Sequence, residues 1–167
     1  MSLAASRVWR IGWFPRVATI ALLIGTASES LVRYPDFIAF FNFAAGGPQG
    51  GLFKLSDSNL DWGQDLPLLI AWRNAHRDKP LYAAYFCMNN PADYESDWTL
   101  LQIASNRQPW EIEPSQVHGP AYVAISASVL QGPYQNEALR AQYGAYRALK
   151  PIAVLGGTIY VFDVPGG

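Results

Sequence analysis

Cysteine is almost absent from this chain, which has one, Cys87, among 167 residues. An internal disulfide is therefore excluded, and because Cys87 lies in the apolar run 81–88 we expect it to pack as a small hydrophobic side chain. Charge of one sign is lacking too, since twelve Lys and Arg residues oppose thirteen Asp and Glu residues for a net charge of -1. Without a global positive field to hold a polyanion, nucleic acid is not an expected partner.

Several enzyme signatures are also missing. Ser126 and Ser128 lie outside any Gly-x-Ser-x-Gly pentapeptide, which argues against a serine hydrolase. His76 and His118 have no partner at catalytic spacing, and the chain has neither a nucleotide-binding glycine motif nor an internal repeat. The sequence therefore assigns no catalytic residue.

A calcium loop fails for a more specific reason. The alternating residues Asp57, Asn59 and Asp61 begin as an EF-hand does. The sixth position, which requires glycine, is Trp62, and the twelfth, which requires glutamate, is Leu68. A looser divalent-cation site at these oxygens stays open, but we assign no metal ligand and no cofactor.

What the sequence does have is a basic and apolar N-terminal segment. The run Val17 to Ile24 follows three arginines, and no acidic residue occurs before Glu29. One interpretation is a signal peptide, with small residues at 25–27 ahead of a cleavage site. The other is a transmembrane helix over residues 11–32, which would be roughly 33 Å long at ~1.5 Å per residue and so long enough to cross a bilayer. In both cases the basic end stays cytoplasmic and the remainder lies outside.

The chain divides into three segments. Residues 34–43 contain five aromatic side chains, a density typical of a membrane interface and equally of a core helix. Residues 44–51 are rich in glycine and interrupt any periodicity, which predicts a linker. We therefore expect an N-terminal segment over 1–33, an interfacial segment with its linker over 34–51, and one domain over 52–167.

Within that domain, short apolar runs alternate with helical patterns. The predicted strands are Leu52–Ser56, Leu81–Met88, Ala121–Ser126, Ile152–Leu155 and Thr158–Val164, and the predicted helices are Leu66–Arg77, Ala92–Ala104 and Tyr134–Leu149. The run 81–88 lacks alternation, as expected for a strand buried on both faces of a parallel sheet. The link Gly156-Gly157 suits a type I′ hairpin. The sequence thus predicts a small three-layer α/β domain with a mostly parallel sheet and a C-terminal hairpin.

Polar residues gather where predicted strands end. Because parallel strands present their ligands at their carboxyl ends, we expect these side chains to share one edge of the sheet. The candidate substrate-binding residues are Asp57, Asn59, Asp61, Trp62, Gln64, Asn89, Asn90, Ser126 and Gln131. Trp98 and Trp110 join Trp62 as aromatic faces that could stack on a sugar, although a core position is the commoner role of each in so small a domain.

The polar run 57–65 has a structural interpretation as well. Asp61 and Gln64 have the spacing of a capping box. Asp65 is the better N-cap, because Pro67 then falls in the first turn, where its missing hydrogen bond has no consequence. Capping needs only one or two of these side chains. The surplus leaves ligand contact and a purely structural turn as equal alternatives.

Three segments carry a resemblance to a known family. They are Tyr34–Asn42, Asp57–Leu66 and Ala124–Gly132. Together they resemble the C-terminal region of bacterial polytopic membrane glycosyltransferases of the family 39 type, and the similarity runs from about residue 33 to residue 164. Proteins of this kind look like lipid-linked sugar transferases in which a many-helix membrane body precedes a small extracytoplasmic domain.

The resemblance implies a fold, a location and partners. It favours the transmembrane helix for residues 1–33 over the signal peptide. It places the domain on the extracytoplasmic side of the bacterial inner membrane, with the polytopic membrane body, the membrane and a lipid-linked sugar or glycan acceptor as partners. Because the family's catalytic acid lies in a loop near the start of the membrane body, we expect a role in acceptor binding or structure without catalysis. The alternative is an exported or membrane-anchored carbohydrate-binding module with no enzyme activity.

Overall fold

The computed structural model of the protein describes residues 12–32, 62–86 and 97–166. Three predicted segments lie outside these ranges: the aromatic segment 34–43, the linker 44–51 and the first strand, Leu52–Ser56. Cys87 also lies outside them. The fold described below comprises residues from 62 onwards, together with one N-terminal helix.

That N-terminal helix, α1, spans Trp13–Val32 and has no buried residue. The predicted transmembrane helix is wrong, because no helix within the described ranges is long and apolar enough to cross a membrane. Arg16 and Glu29 lie inside α1. Four hydroxyl side chains also lie in α1, and although each donates a hydrogen bond to a backbone carbonyl of the helix, each still lowers its mean hydropathy. The part between, Val17–Ala27, is about 17 Å long at ~1.5 Å per residue, against ~30 Å for a bilayer core.

Five strands form one mixed sheet. They are β1, Leu81–Ala84; β2, Thr99–Leu100; β3, Ala121–Ser126; β4, Ala153–Leu155; and β5, Ile159–Val164. Their order across the sheet is β2-β1-β3-β5-β4. β1 runs parallel to β2 and β3, whereas β5 runs antiparallel to β3 and β4. The predicted mostly parallel sheet is wrong, because the C-terminal hairpin places β5 directly against β3.

Helices cover both faces of this sheet. Helix α2, Leu66–Ala75, packs Leu66 and Leu69 onto one face, against a cluster that includes residues of β1, β3 and β5. Helices α3, Ala127–Gln131, and α4, Glu137–Arg147, pack onto the other face. β3 is buried at all six positions as a result. The predicted α/β class and its three layers are confirmed.

Two elements differ from the predicted pattern. Thr99 and Leu100 form β2 beside β1, and the next residue, Leu101, is buried, so that part of the predicted helix 92–104 is a strand. Helix α3 was not predicted, since five residues after a strand are too few to show helical periodicity. The predicted hairpin is confirmed: Gly156 and Gly157 both have positive φ, and the Thr158 N–H donates to the Leu155 carbonyl at 3.1 Å.

Asp65 occupies the predicted N-cap position, but its side chain has another role. The Asp65 carbonyl accepts from the N–H groups of Leu68 and Leu69, while its carboxylate makes no capping bond. That carboxylate is buried and accepts a hydrogen bond from the Thr158 hydroxyl at 2.5 Å. The start of α2 is thereby joined to the β4-β5 turn, and a Cβ on Gly156 would overlap the carboxylate.

We expect Gly156→Ala to lower the free energy of unfolding by ~2 kcal/mol or more, because alanine at a positive φ is strained and its methyl group would displace the Asp65 carboxylate. Gly25→Ala is the matched control, since the added Cβ there would meet no described atom within 4 Å outside the backbone of its own helix. Urea unfolding of the two variants measures the difference. Equal stability of the two would contradict the contact.

Arg73 joins α2 to the chain that precedes β2. It is buried, and it donates to both carboxylate oxygens of Asp97 at 2.9 Å and to the backbone carbonyls of His76 and Lys79. These hydrogen bonds lower the pKa of the Asp97 carboxyl. A group whose pKa is lower in the folded state contributes stability at neutral pH, and this contribution is lost as the pH falls through the folded-state pKa.

We therefore expect part of the acid-induced fall in melting temperature to come from this pair. Asp97→Asn should flatten the dependence of melting temperature on pH in the acid range, because the variant has no carboxylate to protonate at that position. Melting temperatures of both proteins across a pH series measure it. An unchanged acid slope in the variant would show that the pair contributes nothing to stability.

Candidate functional site

The predicted site edge is formed by the carboxyl ends of β1 and β3 and the amino end of β5. Ser126 ends β3 and is paired with Ile159, the first residue of β5. Phe86 follows β1, and Thr158 precedes β5. The predicted convergence of strand ends is thus present for β1 and β3, and the antiparallel β5 adds the hairpin turn to the same edge.

Ser126 is buried at this edge and has a structural partner. Its Oγ accepts a hydrogen bond from the Phe86 N–H at 3.1 Å, which ties the chain leaving β1 to the end of β3. The Phe86 ring stacks on Tyr134, with ring centroids 5.4 Å apart. Ser126 therefore holds the backbone at this edge, and its contact with a ligand stays a prediction.

Trp62 and Gln64 lie just before α2. The Trp62 N–H donates to the Gln64 Oε1 at 2.8 Å, so the Gln64 side chain forms part of a local turn. The Trp62 side chain is 60% exposed. Of the two interpretations of Trp62, core residue and exposed aromatic face, the structure has the exposed face.

The remaining predicted residues separate into two groups. Gln131 is described: it ends α3, is partly exposed and precedes Gly132, whose φ is positive. Asp57, Asn59, Asp61, Asn89 and Asn90 lie outside the described residues, and so does the oxygen set considered for a cation. Within residues 12–32, 62–86 and 97–166, no cluster of three His, Cys, Asp or Glu side chains could hold a metal ion.

The other two tryptophans have different environments. Trp98 is partly buried and packs against the core cluster beneath α2. Trp110 is 55% exposed in the chain between β2 and β3. Trp98 thus follows the core interpretation, whereas Trp110 shares the exposure of Trp62.

The sheet face opposite α2 has a groove that was not predicted from the sequence. It has a volume of about 520 Å³ and opens between the end of α4 and β4. Its apolar and aromatic lining includes Leu130, Tyr146, Leu149, Ile152, Val154 and Phe162. The only local signal is the stretch after α4, where Leu149 and Ile152 flank Lys150 and Pro151 and are both exposed.

Tyr160 also lines this groove from β5. Burial raises the pKa of its hydroxyl, which has no hydrogen-bond partner among the described residues. The Arg147 guanidinium is held at the rim, where Nη1 donates to the Leu130 carbonyl and Nη2 to the Arg140 carbonyl. The groove therefore has an apolar floor and a fixed cation at its side.

Comparison with known proteins identifies no relative. No family model matches the chain, no curated protein matches it, and no solved structure matches it.

We expect Ser126→Ala to cost about 0.5–1.5 kcal/mol of stability, because it leaves the partly buried Phe86 N–H without this acceptor. Ser128→Ala is the matched control, since the Ser128 hydroxyl is equally buried and has no hydrogen-bond partner within the described ranges. That change should be neutral or slightly stabilising. Chemical denaturation compares them, and an equal loss in both would contradict a structural role for the Ser126 hydroxyl.

Proposed function

We propose that the chain is the extracytoplasmic C-terminal domain of a bacterial membrane glycosyltransferase that uses a lipid-linked sugar donor. Its role is to contact the glycan acceptor or to support the enzyme, without catalysis of its own. Its principal partner is the polytopic membrane body, at the outer side of the inner membrane. The resemblance of three segments to family 39 transferases is the basis for the family and the location.

The single observation in favour of acceptor contact is the exposure of Trp62. A tryptophan in a small domain would ordinarily be drawn into the core by its large apolar area. This side chain is instead 60% exposed, and its backbone is held by the Gln64 side chain in the turn before α2. An exposed indole following a run of carboxylates and amides in the sequence has the chemistry of a sugar-stacking position.

Two described carboxylates support a role without catalysis. A glycosyl transfer needs an acid or base whose pKa is near the working pH and which lies within hydrogen-bond reach of the reacting atoms. Asp65 is buried against Thr158, and Asp97 is bound to Arg73. Both of these carboxylates already have structural partners in the fold.

A transfer assay tests the noncatalytic part of the proposal. Purified protein incubated with a polyprenyl-phosphate sugar and a bacterial glycan should form no product. Addition of the membrane body should restore transfer. Product formed by the purified chain alone would overturn the assignment.

Binding of a glycan tests the role of Trp62. A saccharide retained on a glycan array is titrated against the protein and followed by tryptophan fluorescence. Trp62→Ala should weaken binding about tenfold, or ~1.4 kcal/mol, because it removes the stacking face. The variant should change folding stability by no more than about 0.5 kcal/mol, since the side chain is mostly exposed.

Trp110→Ala is the matched control, with similar exposure in a different loop. Its affinity should stay at the wild-type value. If no saccharide is retained, or if both variants bind as the wild type does, Trp62 is not an acceptor contact. Binding that persists in a chain processed after Ala27 and separated from any membrane body would favour the carbohydrate-binding module instead.

A further inference from the structure

The groove between α4 and β4 lies next to the edge strand of the described sheet. In the described part of the chain, β4 is the last strand of the sheet and pairs only with β5. Ile152 and Val154 line the groove beside this edge. A strand edge next to an apolar groove is the arrangement by which domains bind an extended peptide, whose backbone adds to the sheet while alternate side chains enter the groove.

The charged side chains around the groove indicate the charge that such a peptide would carry. Its charged lining residues are Arg147 and Lys150, and no Asp or Glu is among the described residues that line it. The Arg147 guanidinium is already fixed by two backbone carbonyls, so less of its conformational freedom is lost when it pairs with an anion. The groove is therefore complementary to a carboxylate placed next to an apolar side chain.

Two exposed aliphatic side chains of the groove lining also favour peptide binding. Leu149 and Ile152 are 52% and 54% exposed, and both belong to the groove lining. Exposed aliphatic side chains beside an apolar floor form a continuous apolar surface of the kind found at protein interaction sites. The three residues of β4 extend about 10 Å, so the added strand is short and its affinity modest.

We propose that this face of the protein binds an extended acidic segment of a partner protein, which adds to β4 as a further strand. Its apolar side chains enter the groove above Val154 and Phe162. Its carboxylate side chain, or its terminal carboxylate, pairs with Lys150 and Arg147. This interaction is separate from the glycan contact proposed for Trp62 and does not depend on it.

Selection of peptides by the purified whole chain tests the proposal. A phage-displayed library of random linear peptides should be enriched in sequences that combine Asp or Glu with aliphatic residues. A selected peptide, labelled with a fluorophore, is then titrated by fluorescence anisotropy. Lys150→Glu should weaken its binding by at least about fivefold, because the variant places like charges together.

The control variant is Arg107→Glu, which makes the same charge change at an exposed residue that does not line the groove. Its affinity should remain at the wild-type value. Leu149→Asn is a second groove variant, which should weaken binding by removing apolar contact while the charge of the groove stays the same. Circular dichroism establishes that each variant is folded before its affinity is compared.

Strand addition is tested on the peptide itself. Methylation of alternate backbone nitrogens should reduce the affinity about tenfold where the N–H donates to β4, and the intervening positions should tolerate it. Selection of no peptide, or of basic or uncharged peptides, would overturn the proposal. So would a selected peptide that binds Lys150→Glu as tightly as wild type, or one that tolerates methylation at every nitrogen.

Discussion

The fold depends on the burial of one strand, β3, on both of its faces. All six residues of Ala121–Ser126 are buried, with β1 parallel on one side and β5 antiparallel on the other. Each face is then covered by helices, which divides the core into two clusters. A chain of this length has few ways to bury an apolar strand completely, and a helix layer on each face of the sheet is one of the simplest.

Part of the fold could be predicted from the sequence. Buried strands appear as local apolar runs, whereas the pairing of one strand with another has no local sequence pattern. The apolar runs at β1, β3 and β5 and the double glycine of the hairpin are local signals, and each element lies where they indicated. The direction of β5 against β3 is set by contacts between distant segments, which no local pattern records. Helix α1 is a case in which a local apolar run was misleading. Its apolar run is real, but Arg16 and Glu29 and the hydroxyls between them lower the overall apolarity below what a membrane span requires.

The candidate site was predictable to a smaller degree. Residue type alone does not reveal that a serine holds a backbone N–H, as Ser126 does. The exposure of Trp62 also depends on neighbours remote in sequence. The groove is assembled from α3, α4, β4 and β5, four elements that are each ordinary in sequence, so only their packing reveals it. Comparison among relatives would normally supply this information, and the chain matches none.

The hydrogen bond between Asp65 and Thr158 bears on how the protein folds during its synthesis on the ribosome. The two residues are 93 positions apart, and β5, which follows Thr158, also supplies the antiparallel neighbour of β3. During vectorial synthesis the helix α2 and the strand β3 emerge well before the hairpin that completes them. A nascent chain that ends before residue 158 lacks both the Thr158 hydroxyl that Asp65 contacts and the antiparallel neighbour of β3. The complete native set of contacts around β3 and α2 therefore requires residues 158–164.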